Sequence, residues 1–295
     1  MIEGLAPIAD RTLGFIVPDR SARGQVVRLD TALAAVLAAH DYPDALARLL
    51  AQALTITALV GLALRQDQGQ LTLQAQAKGG AIDLLVCDWR AGEVRGYINY
   101  DPQHVVTNDM NLSELFGDGH LAITLDQTTS GERYQGIVAL EGADLASAIT
   151  GYFESSEQLP TLIRVAVSGD ARTGWLAGGL LVQHLARSEI GGERLDAGDQ
   201  HPDWDHVMAL ASTIKDSELT DPELSPEALL WRLFHEEVVH VTPGPVPARG
   251  CRCSPAHIQD VLSRFPEAER IDMRGDDGRI AVDCRFCARV FAIEA

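Results

Sequence analysis

Cys251-Arg252-Cys253 and Cys284-Arg285-Phe286-Cys287, separated by 30 residues, lie near the end of a 295-residue chain and hold four of its five cysteines. Each pair can present two sulfurs to one ion, and four thiolates complete the tetrahedral shell that Zn²⁺ takes at structural sites. The spacing predicts a closed Cys₄ site for one zinc per chain, with Cys251, Cys253, Cys284 and Cys287 as ligands. A full thiolate shell leaves no open position for water, which weighs against a zinc hydrolase. Thiolate is also the form that oxidants attack, and a Cys-x-Cys disulfide is strained by its short Cα separation, so it suits a reversible switch better than a permanent staple. His257 would be a fifth ligand and reads as a surface histidine.

The segment carrying this pattern, residues 249–295, has 8 basic and 8 acidic residues. Below about 70 residues a core alone rarely suffices for stability, so a unit this short needs a metal, a disulfide or a docking surface. Structural zinc supplies roughly 10–16 kcal/mol of apparent binding energy at neutral pH, so its loss is expected to unfold the unit.

Upstream, residues 186–248 hold 4 basic and 13 acidic residues with interspersed glycines and prolines, and read as a linker only partly committed to structure. Two amphipathic helices are expected within it. Val207, Leu210, Ala211 and Ile214 form one apolar stripe, and Ser225-Pro226-Glu227 opens a second helix bearing Leu229, Leu230, Leu233 and Phe234. Such helices need a surface to lie on. Thr242 to Pro247 breaks any helix and marks a boundary.

Residues 1–185 read as one α+β unit. Strands are expected at Arg11 to Val17 and Gln25 to Leu29, followed by an Ala-rich helix from Thr31 to His40 capped by Asp30. A core helix follows Pro43 and runs to about Leu64. Leu71 to Ala77 alternates as a strand, and Ala81 to Trp89 and Glu93 to Tyr100 flank Arg90-Ala91-Gly92 as a hairpin. Leu121 to Asp126 and Gly136 to Glu141 flank a turn at Ser130-Gly131, a helix spans Asp144 to Gln158, and Leu162 to Val167 and Trp175 to Leu181 add strands. Hairpin strands with helices grouped beside them favour an antiparallel sheet over repeated βαβ units.

A net charge of −18 opposes binding to phosphate backbones and anionic lipid. The most apolar stretch, Ala53 to Leu64, falls short of the ~20 residues of a membrane span, and the short Leu5 to Ile8 patch lacks the features of a secretory signal, so a cytosolic protein is expected. Other motifs are weak. Gly117 to Ala122 fits a dinucleotide fingerprint but reads as a turn, and His235 and His240 stand five apart, where a zinc-protease helix needs four. Ser212 to Lys215 reads as a solvated helix face, His201 to His206 as solvated linker, and Cys87 as a buried core thiol. With only Lys78 and Lys215, no phosphate-binding loop for ATP exists.

The cysteine pattern, the acidic linker and the first unit together resemble the heat-shock protein 33 family of redox-regulated bacterial chaperones. The likeness extends to Ala39-His40-Asp41-Tyr42-Pro43, to the strand Leu71 to Gln76 with its following glycines, and to Tyr152-Phe153-Glu154-Ser155-Ser156-Glu157-Gln158-Leu159-Pro160-Thr161. It implies an ATP-independent holdase and not an enzyme, inactive while reduced and zinc-bound. On oxidation Cys251 would pair with Cys253 and Cys284 with Cys287, zinc would leave, the linker would detach and a homodimer would bind unfolding client proteins. Ala288 follows the last cysteine where a glycine is common in the family. Two other readings compete. One is a zinc-ribbon module for a protein or nucleic-acid partner, using Arg252, Arg285 and Arg289; the other is a thiol oxidoreductase using Cys284 and Cys287.

Overall fold

The computed structural model describes residues 10–63, 69–126, 133–185 and 202–294. Leu5 to Ile8, Leu64, the Ser130-Gly131 turn, His201 and the glycines at the start of the acidic segment lie outside the described residues. At its centre is helix α2, Asp44–Ala63, whose apolar side chains point to nearly all sides. An all-round apolar helix must be enclosed. It is longer than the apolar stretch read from the sequence, and its 20 residues and mean hydropathy of 1.7 would suit a membrane span by length and composition. Here most of it is buried inside the protein, as befits a core helix. The Thr55 and Thr57 hydroxyls, fully buried, donate to the Ala51 and Ala53 carbonyls one turn back.

Two sheets enclose α2. The first contains β1 (Arg11–Val17), β2 (Ala22–Leu29), β8 (Thr161–Asp170), β9 (Gly174–His184) and β10 (His240–Pro243) in the order β10-β1-β2-β9-β8, all antiparallel. The second contains β3 (Gln70–Gly79), β4 (Ile82–Arg90), β5 (Glu93–Tyr100), β6 (Gly117–Asp126), β7 (Arg133–Ala139) and β11 (Ala248–Arg249) in the order β11-β5-β4-β3-β6-β7. In that sheet β11 alone runs parallel to its neighbour, β5. The architecture is α+β with antiparallel sheets, as expected. Ala91 and Gly92, at φ of 49° and 89°, form the two-residue β4–β5 turn, whose left-handed backbone matches strand twist.

Local details depart from the sequence reading. Helix α1 (Thr31–Leu37) is shorter than expected, and Asp30 at its start makes no side-chain cap. The Asp10 carboxylate does so instead, accepting from the Asp30 and Ala32 amides at 2.8 and 2.9 Å. The Gly117 to Ala122 segment is no turn: it opens β6, straight after helix α3 (Leu112–Phe116), because its backbone pairs with β3 from Gly79 onward. Helix α4 (Leu145–Ser155) starts as expected, with Asp144 accepting from the Ser147 amide.

The acidic segment is more committed than its composition suggests. Its described part forms α5 (Pro202–Ala211), α6 (Asp216–Leu219) and α7 (Pro226–Phe234) before β10 joins the first sheet beside β1. Ser212 to Lys215 lies in the connection after α5 rather than on a helix face, and α7 ends at Phe234, so His235 and His240 share no helix. The surface these helices need is the outer face of the first sheet. Leu13, Phe15, Val17, Val26, Leu180 and Val182 meet Val207, Leu219, Leu229, Leu230, Leu233 and Phe234 in a core separate from that around α2.

Candidate metal centre

The four clustered cysteines come from two loops. Cys251 and Cys253 precede helix α8 (Pro255–Leu262), whose first amides are capped by the Ser254 side chain at the His257 amide. Cys284 and Cys287 occupy the turn between β12 (Arg279–Asp283) and β13 (Val290–Glu294), a hairpin followed in space by α8 and in sequence preceded by α9 (Glu267–Asp272). In that turn the Cys287 and Ala288 amides both donate to the Cys284 carbonyl, at 3.2 and 2.8 Å. Ala288 has a φ of 53°, the left-handed conformation that favours glycine. The unit's own core is only Leu262, Ile280, Phe291 and Ile293, with Ile258 and Val282 at its margin.

All four Sγ atoms lie within 4.8 Å of one another. Cys251 is 3.1 Å from Cys253 and 3.6 Å from Cys284, and Cys253 is 3.4 Å from Cys287. Zinc–sulfur bonds of about 2.3 Å set the edges of a tetrahedral shell at roughly 3.8 Å, so this donor set fits such an ion without chain rearrangement. Burial opposes ionisation at Cys251, but the Cys253 amide and the neighbouring thiols outweigh it and bring its pKa down to about 7. Burial and those same neighbours push Cys253 and Cys284 up. His257 is exposed on α8, as expected for a histidine outside the shell. Cys87 is sealed in the core, where burial holds its pKa well above the ordinary thiol value.

The turn holding Cys284 and Cys287 docks on the second sheet. Phe286 projects from between the two cysteines to meet Tyr97 edge-on at 5.0 Å and the Arg95 guanidinium at 4.0 Å. Arg95 is held in place by Asp88 at 2.7 Å, which also accepts from the Thr72 hydroxyl. His40 Nε2 donates to the Arg285 carbonyl at 2.8 Å, and burial lowers the His40 pKa, keeping the ring neutral. Arg252, between the other two cysteines, donates to Gln70 and faces Glu93. The β11–β5 pairing continues this seam through the Gly250 amide, which donates to Val94. The metal pattern was legible in the sequence, but this seam was not: its signals were a large apolar ring and an arginine inside the cysteine pairs, which have meaning only once β5 lies alongside.

The acidic segment is clasped as well as packed. The Arg20 guanidinium donates to Glu237 at 3.0 Å and to Asp203 at 3.2 Å, and His206 Nε2 donates to the same Glu237 at 2.8 Å. His206, expected to be solvated, therefore ties α5 to the segment after α7.

The Hsp33 protein family model matches residues 10–294. A "33 kDa chaperonin" of Caulobacter vibrioides is 38% identical over 294 residues, covering 97% of this chain and 95% of that protein. The chain belongs to the Hsp33 family. A Pseudomonas putida member, also named 33 kDa chaperonin, is 36% identical over 98% of this chain and 92% of its own length. The crystal structure of the Hsp33 homologue of Thermotoga maritima, 21% identical, superposes with a TM-score of 0.78 over 96% of this chain and 94% of that one. The Hsp33 fold is thus shared over nearly the whole chain.

Proposed function

We propose that this chain is an ATP-independent holdase chaperone, switched by the redox state of Cys251, Cys253, Cys284 and Cys287. The observation that carries the reading is the thiol cluster itself, on a unit whose own core is four side chains and whose cysteine turn packs against the main body. In the reduced state the four cysteines bind one zinc, which staples that unit. Oxidation forms Cys251–Cys253 and Cys284–Cys287 disulfides, the pairing that the family resemblance implies. In each, two thiolate sulfurs give up one electron apiece to form the S–S bond, and one peroxide takes up the two electrons with two protons from solvent and leaves as two waters. The ligands are then lost together, and a unit with so small a core cannot hold its shape against a chain entropy cost of about 1–2 kcal/mol per residue.

Unfolding of residues 249–295 removes the β11–β5 seam, so the acidic segment 186–248 loses the restraint that follows it in the chain. Its release uncovers the outer face of the first sheet, on residues 1–185, to unfolding client proteins. The active form is a homodimer acting in the cytosol, without catalysis and without nucleic acid or membrane. Arg252 supports this over a nucleic-acid module, because it faces Gln70 and Glu93 rather than outward. The relatives named 33 kDa chaperonin support a client-binding role.

The test follows zinc release, free thiols and suppression of client aggregation in one sample, before and after peroxide at elevated temperature without ATP. Release of about one zinc per chain, loss of four thiols and gain of protection, all reversed by reductant, are expected. Retained zinc with no protection overturns the reading. Serine at Cys284 is expected to abolish tight zinc binding, and unchanged stoichiometry would refute its role as a ligand.

A further inference from the structure

Among the side chains on the outer face of the first sheet, Arg28 stands apart. It lies on β2 and is 2% exposed, the largest fully buried side chain among the described residues. Among the described residues no carboxylate hydrogen-bonds it. Its guanidinium donates instead to main-chain carbonyls of the acidic segment: Leu224 at 2.7 Å, Leu219 at 3.1 Å and Glu218 at 3.5 Å. Those of Glu218 and Leu219 close the end of α6, where carbonyls have no partner within the helix and carry its partial negative charge. Asp221, in the following turn, adds electrostatic attraction.

The opposite residue on β9 completes the arrangement. Gly178 pairs with Arg28 across the strands, and a methyl group there would collide with the Leu219 carbonyl oxygen. The bare backbone lets a carbonyl descend onto the sheet, directly beside the donor. Around it Leu13, Val26, Leu180 and Ala166 accept the leucines of the covering helices. Beneath α6 the acidic segment is therefore seated by a buried polar contact set surrounded by apolar side chains.

We propose that Arg28 and Gly178 form a seat for main-chain carbonyls that, once the acidic segment lifts, holds client segments whose free carbonyls are flanked by leucine-type side chains. This rests on the holdase reading above and specifies what its binding face recognises. A buried cation that loses its acceptors is costly, and a client that supplies carbonyls restores them.

The probe is a labelled peptide of residues 216–234, the segment that fills the seat, binding to the full-length peroxide-activated protein and read by fluorescence anisotropy. A second peptide replaces the Leu219–Thr220 amide by an ester, which weakens the Leu219 carbonyl as an acceptor. Arg28→Met is expected to weaken binding of the amide peptide about tenfold or more, as fits the loss of hydrogen bonds to a charged group. The penalty for the ester, several-fold in the wild type, is expected to shrink in Arg28→Met, since the two changes remove the same contact. Gly178→Ala, which fills the hollow and leaves the charge, is expected to weaken the amide peptide as well. Equal affinity of wild type and Arg28→Met, or an ester penalty that Arg28→Met leaves unchanged, overturns the seat. If Arg28→Met does not fold to the zinc-replete reduced form, Arg28→Lys takes its place in the same comparison, with an intermediate loss expected. An activated wild type that suppresses aggregation but does not bind the peptide also overturns the seat alone. One that does neither overturns the holdase reading.

Discussion

Removing the Phe286 ring isolates the seam between the cysteine turn and the main body. Phe286→Ala deletes an edge-on contact with Tyr97 and a cation–π contact with Arg95, and leaves all four cysteines in place. Aromatic pairs contribute about 0.5–1.5 kcal/mol and cation–π contacts about 0.5–2 kcal/mol, so roughly 1–3 kcal/mol of docking energy is at stake. At 1.4 kcal/mol per tenfold, that raises the undocked fraction about 5- to 150-fold. The His40 hydrogen bond to Arg285 and the Arg252 contact with Gln70 remain, so the unit stays partly docked. The assay is hydrogen exchange in the reduced, metal-loaded protein at the Ala248 and Gly250 amides, which donate to Gly92 and Val94 across the seam. Both are expected to exchange faster by that factor while the metal content of the cysteine cluster stays unchanged. Unchanged exchange there refutes the role of the ring, and loss of zinc alongside shows that the ring supports the metal shell rather than the docking.

Three further outcomes follow from particular residues. Ala288→Gly relieves a left-handed alanine, worth roughly 1–2 kcal/mol, against about 0.4–1 kcal/mol of added unfolded-state entropy. The cysteine unit is expected to gain about 0.5–1 kcal/mol, read as slower zinc loss to a chelator; faster loss contradicts the assignment. The Arg20 hydrogen bonds, opposed by burial and aided by His206, hold the Glu237 carboxyl below its ordinary 4.5. A depressed acid stabilises the fold above its unfolded value and ceases to do so as pH falls through the folded one. Proteolysis of the acidic segment is therefore expected to rise below about pH 4.5 in the wild type, and to be several-fold faster at neutral pH and less acid-dependent in Glu237→Gln. Identical pH profiles for the two proteins would sink that account. In thiol counting under native, metal-free conditions, four cysteines are expected to react quickly and Cys87 only on unfolding, because it is fully enclosed. A fifth fast thiol would show that the core opens.

Where local pattern carries the information, the sequence was readable. The strands around Arg90-Ala91-Gly92, the helix opened by Ser225-Pro226, and the four cysteines of the cluster all follow from turn residues, caps and ligand spacing within short windows. The misreadings share one cause. Gly117 to Ala122 is a strand because β3 pairs with it, and Asp10 rather than Asp30 caps α1 because β1 and β2 bring it there. The acidic composition of residues 186–248 suggested weak structure, yet its described residues fold because the sheet supplies the apolar partner that the segment lacks.

The sequence by itself determined the α+β class, the hairpins, the core helix and a thiol set fit for one metal ion, since each depends on residue type and spacing along the chain. Only the tertiary structure decided that the strands divide into two sheets around α2, that Phe286 locks the cysteine turn to β5, and that Arg28 meets the carbonyls of α6. Each of those contacts joins residues about 190 positions apart, or separates strands alike in local pattern, and nothing in a short window distinguishes one distant partner from another.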